Sequence, residues 1–184
     1  MLNNNKQKML GVGAVAALAM LAGGAVAAAT PGTATITGGA LAMTAPASVA
    51  FSATLTGTNQ SAPATQIVNV VDSTGTGAGW NVTLTSTTFV TGALSLPDNS
   101  VTDTAASGAC ASGVTCTVAT NSVAYPLTVP AATTAPTAVK ILSAALNTGM
   151  GSQNWTHSMA LGLLASVQAG TYTSTWTYSL VSAP

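Results

Sequence analysis

The sequence predicts an all-β fold, a single β-sandwich domain of short, mostly antiparallel strands, and three observations carry that expectation. Only 3% of the 184 residues are charged while 48% are hydrophobic, and Glu and Arg are absent. A chain kept polar by Thr and Ser hydroxyls suits a pleated, half-buried surface, on which β-branched side chains pack well. Short apolar runs are separated by Gly, Pro and Asn signals, the pattern of a sandwich or barrel. Near the C-terminus the alternation is strict: Tyr172, Ser174, Trp176, Tyr178 and Leu180 share one parity, and Thr171, Thr173, Thr175, Thr177 and Ser179 take the other. With a period of two, one set packs on a core and the other forms a hydroxyl surface.

Residues 1–29 read as a secretory signal. Lys6 and Lys8 form a basic start, Met9 to Ala29 carries no charge, and small residues cluster at Ala25-Val26-Ala27 and Ala27-Ala28-Ala29. Cleavage is expected after Ala27 or Ala29. An uncleaved anchor is the competing reading, since about 18 apolar residues can span a bilayer, but Ala and Gly make this run weakly hydrophobic. Residues 30–184 then form one domain, long enough for a real core.

Along that domain the strands expected are 34–37, 48–55, 65–71, 80–85, 89–96, 115–119, 123–129, 138–142, 154–164 and 171–181. Turns fall at Gly38-Gly39, Gly57-Thr58-Asn59, Gly75 to Gly79, Pro97-Asp98-Asn99 and Ala169-Gly170. The strand from Trp80 repeats the final alternation, with Trp80, Val82 and Leu84 inward and Asn81, Thr83 and Thr85 outward. The stretch 138–146 is ambiguous, because Val139, Leu142 and Leu146 would share a helical face.

The charge inventory excludes several functions. Phosphate neutralisation by basic patches, and with it nucleic-acid binding, lacks residues. With one His and no Glu, carboxylate pairs and zinc clusters of the usual spacing cannot be assembled, and no cofactor is expected. A hydrolytic triad would need His157, which sits with Trp155, Met159, Leu161 and Leu163 on one mostly apolar parity and reads as a packed or rim histidine. The Gly75 to Gly79 run precedes a strand, whereas a phosphate cradle needs a helix to follow, so it reads as a loop. Cys110 and Cys116 lie in a turn-rich stretch; such a close pair in an exported chain predicts a disulfide pinning a loop, free thiols being the alternative. Asp98, Asn99 and Asp103 read as a polar turn rather than a Ca²⁺ site. Lys140 is considered, and set aside, as a partner in an internal isopeptide bond. Asn59, Asn81 and Asn154 stand in N-x-[ST] sequons.

The stretch Val70-Val71-Asp72-Ser73-Thr74-Gly75-Thr76-Gly77-Ala78-Gly79-Trp80-Asn81-Val82-Thr83-Leu84 resembles the first signature of the WxL-domain family, cell-surface proteins of Gram-positive bacteria. The run Ala169 to Leu180, with Tyr172, Trp176 and Tyr178, is similar to the second, and Ile36 to Leu41 with Ala45-Pro46 and Phe51 is similar to the family's opening. Val82 and Tyr178 stand where the family's leucine is expected, and Thr74 where an arginine is expected, the pattern of a divergent member. The resemblance implies a secreted, non-catalytic protein held noncovalently on peptidoglycan or another cell-wall glycan, with Asp72, Gly79, Trp80, Val82, Tyr172, Trp176 and Tyr178 as its motif residues. Other surface proteins, or further copies of the chain, are possible partners. Parity, for its part, assigns Trp80 and Trp176 to the core or its edge. The alternative function is a self-assembling subunit of a surface layer or filament. A nearly uncharged sandwich has few edge blockers, and residues 30–44, freed by signal cleavage, could add a strand to a neighbour.

Overall fold

The computed structural model describes residues 29–182, so the leader expected over 1–29 lies outside the described residues but for its last position. The chain divides into two units, Met1–Thr35 and Ile36–Pro184. The described part of the first, residues 29–35, is exposed and has no regular structure. Among the described residues no helix is long and apolar enough to cross a membrane.

The second unit is an all-β sandwich. Its strands are β1 (Leu41–Thr44), β2 (Gln60–Asp72), β3 (Trp80–Thr87), β4 (Val90–Thr91), β5 (Leu94–Ser95), β6 (Val101–Cys110), β7 (Leu127–Val129), β8 (Ala131–Ala132), β9 (Val139–Ala144), β10 (Gly151–Leu163) and β11 (Trp176–Ser182). One sheet has the order β1-β2-β10-β6-β7. In the other, β3 pairs with β11 on one side and with β9 and β8 on the other, and β4-β5 is a small hairpin. All pairings are antiparallel except β3 with β8.

The core lies between the two sheets. Val68 and Val70 of β2, Trp155, Met159 and Leu161 of β10 and Val101 of β6 meet Trp80, Val82 and Leu84 of β3 and Ile141 and Leu142 of β9. Central β3 is buried on both faces, because the segment before β9 covers its outer side: Thr85 Oγ1 donates to Pro136 O at 2.8 Å. Burying side chains of this size contributes on the order of 2 kcal/mol each, which is how so uncharged a chain is held together.

Several expected elements differ. Residues 34–37 and 48–55 have no regular structure and make no backbone pairing among the described residues, and only the latter seats side chains, Val49 and Phe51, against the body. Of 115–119 a single bridge survives, Thr117 with Met150. There the buried Gln153 side chain substitutes for a neighbouring strand, accepting from Ala119 N at 2.8 Å and donating to Thr117 O. The expected strand at 89–96 is the β4-β5 hairpin, turned at Gly92 with φ 57°, and 123–129 shortens to β7. The ambiguous 138–146 is β9, with Leu146 left exposed after it. Three strands were not expected: the short β1 and β8, and the long β6, whose sequence VTDTAASGAC shows no apolar alternation because its second inward position is Asp103.

Candidate functional site

Both motif segments come together, as adjacent strands rather than as a catalytic centre. β11 pairs with β3 so that Tyr178 lies opposite Leu84, Trp176 opposite Ser86 and Leu180 opposite Val82. Asp72 ends β2, where its Oδ1 accepts from Thr74 N at 3.0 Å and Thr74 Oγ1 at 2.7 Å, an Asx turn that opens the glycine loop. Gly79 has φ 81°, and a Cβ there would sit 2.3 Å from Ala144 O, so the step into β3 requires glycine. Trp80 is wholly buried and its Nε1 donates to Gly149 O at 3.0 Å. Val82 is equally buried. These four residues build the sandwich.

The C-terminal motif differs. Tyr172, Trp176 and Tyr178 are only half-buried. Trp176 packs on Phe51, ring centres 6.2 Å apart, and Phe51 meets Phe89 edge-on at 6.0 Å. Tyr172 precedes β11, its hydroxyl donating to Gln168 O at 2.9 Å. It lines three neighbouring clefts. The widest, about 650 Å³, runs between residues 49–55 and 167–172, with Phe51, Phe89, Leu96 and Leu163 as apolar walls and Gln168 and Thr171 as polar groups. A second, about 540 Å³, separates residues 45–49 from 173–178, and a third, about 340 Å³, reaches Leu94 and Ser166. Among the described residues no charged residue and no histidine lines any of them.

Sequence reasoning missed the role of Asp103. It faces the core, its Oδ2 2.6 Å from His157 Nδ1, and both side chains are fully buried. Gln66 stands directly opposite His157 on β2, and its Oε1 accepts the hydroxyl proton of Tyr178 from the other sheet. Burial raises the Tyr178 hydroxyl well above its ordinary value, against the lowering effect of the Gln66 bond, and the Asp103 charge adds to the rise. Among the described residues His157 Nε2 has no hydrogen-bond partner. Asp98 accepts from the Thr88 hydroxyl and Asn99 Oδ1 from Ala131 N at 2.8 Å, each away from the Asp103 pair. Lys140 is exposed on β9. Of the sequon residues Asn81 is buried within β3 and Asn154 lies on β10, while Asn59 is exposed in a loop. Cys110 and Cys116 form a disulfide at the end of β6.

Comparisons of the chain with protein-family models, with curated proteins and with solved structures found no match. The likeness to the WxL-domain family therefore stands on the motif residues themselves.

Proposed function

We propose that this chain is a non-catalytic bacterial surface protein that attaches noncovalently to cell-wall glycan, with the clefts around Tyr172 as its binding face. The observation that carries the reading is the composition of those clefts: aromatic and aliphatic walls, hydroxyl and amide groups, and no charge. Sugar rings present apolar C–H faces edged by hydroxyls, which an amphipathic aromatic such as Tyr172 matches on both counts. The hydroxyl of Tyr172 is tied to Gln168 O, so the ring is held in place before any ligand arrives. The resemblance of the two motifs to those of wall-attached proteins points the same way. In this reading Trp80, Val82, Gly79 and Asp72 hold the scaffold, and Tyr172 with its neighbours meets the ligand. The test is co-sedimentation of the protein with purified peptidoglycan sacculi, compared with Tyr172→Ala.

A further inference from the structure

We propose that the outer edge of β11 accepts an extended strand, Thr33–Thr37, from a second copy of this chain. The inference does not rest on the wall-binding reading, since it is argued from backbone groups, but the strand would occupy the slot of about 540 Å³ assigned above to the glycan face, so strand and glycan would compete there.

The acceptor is an edge whose backbone groups are unpaired among the described residues, although β1 and residues 45–49 run close beside it. Thr87 N donates to Thr175 O at 2.9 Å, and strand alternation then turns the backbone N–H and C=O groups of Trp176 and Tyr178 away from β3. No described residue pairs with them. Beside them runs the slot of about 540 Å³ that divides residues 173–178 from 45–49, a segment whose own backbone is also unpaired. β11 has neither a proline nor a charge. The outer edge of β2 makes the contrast. Ser73 bonds outward to Gly39 and Ala40, so Pro63, of the same parity, presents its missing N–H to that open edge. Proline there blocks strand addition. The edge of β11 has no such guard.

The donor is on the same chain. Residues 33–37, Thr-Ala-Thr-Ile-Thr, are exposed throughout, carry no charge and alternate as a strand does. Ile36 is 92% exposed, an apolar side chain left in water. Extended, the chain from Leu41 back to Thr33 reaches roughly 26 Å, ample to cross from one copy to the next. In the slot Ile36 would lie against Phe89 and Trp176, while main-chain bonds to Trp176 and Tyr178 supply affinity.

Two full-length variants, Thr35→Cys and Thr177→Cys, place thiols at exposed positions on the two strands, and the native cysteines are already paired. Mixed and oxidised, they should give a heterodimer containing one copy of each, identified by mass. The product should be lost when Ile36→Asp is added to the Thr35→Cys chain, and should fade as a peptide spanning residues 31–40 is titrated in. The proposal is overturned by the absence of that heterodimer, by Thr177→Cys coupling only to itself, or by a product that Ile36→Asp leaves unchanged. It is equally overturned if the double variant Thr35→Cys/Thr177→Cys couples only within one chain.

Discussion

His157 Nδ1 lies 2.6 Å from Asp103 Oδ2, and both side chains are shut off from solvent between the sheets. A buried pair of this kind adds little over a well-packed apolar pair, because desolvation offsets the attraction, yet removing one member leaves a polar group stranded in the core. The pair lies beside the irregularity in the β6–β10 register between Ser158 and Met159.

Asp103→Ala should therefore destabilise the domain by about 3 to 5 kcal/mol, as breaking a buried pair does. Replacing both members together, Asp103→Leu with His157→Leu, should recover most of that loss. Urea unfolding of the three proteins measures it, and a double variant no better than Asp103→Ala would show that the pair is more than a polar plug in the core.

The two motif tryptophans should separate. Trp80 is fully buried and donates to Gly149 O, so Trp80→Ala should cost about 3 to 5 kcal/mol. Trp176 is half-buried against Phe51, and Trp176→Ala should lower the melting temperature distinctly less. Thermal melts of the two variants under one condition check this, and equal losses would contradict it.

Alkali should weaken the fold before it ionises Tyr125 and Tyr178 in the folded chain. Burial pushes the Tyr125 hydroxyl from 10.0 up to about 12, against a lowering bond from Asn121, with the Asp103 charge adding to the rise. Below pH 10 both folded and unfolded chains hold the proton and stability is complete. Between pH 10 and about 12 the unfolded chain releases it first, so stability falls as pH rises through this window. Tyr178 acts in the same direction. Tyr125→Phe should lower stability near neutrality, since the Ile141 carbonyl loses its donor, and should flatten the alkaline decline. Denaturation midpoints from pH 8 to 12 test both parts.

The sequence announced those strands whose inward positions are apolar. Trp80, Val82 and Leu84 identify β3, although Asn81 and Thr85, expected outward, are buried too, and the Tyr178 and Leu180 parity identifies β11, where burial and alternation coincide. β6 was hidden because its inward residues are Val101, Asp103 and, past the bulge, Ala106 and Gly108. Asp103 becomes an inward residue only by meeting His157, fifty-four positions away. Gly108 is small because Trp155 lies over it, where a Cβ would come within 2.5 Å of the indole. The reverse error, strands expected at 34–37 and 48–55, arises because β propensity needs a paired edge and these runs pair with none among the described residues. For the candidate site, alternation located Tyr172 and Trp176. Their grouping with Phe51 depends on where the unpaired segment joining β1 to β2 lies beside residues 172–178, which local pattern does not encode.

The most direct test of wall attachment is co-sedimentation with sacculi for the unaltered chain and Tyr172→Ala, at low salt and at about 0.5 M salt, where screening shortens to a few Å. The account predicts that the unaltered protein binds equally at both salts, because no charge lines the clefts, and that Tyr172→Ala keeps its fold by circular dichroism but loses binding. Binding that collapses with salt, or that Tyr172→Ala leaves intact, would contradict it.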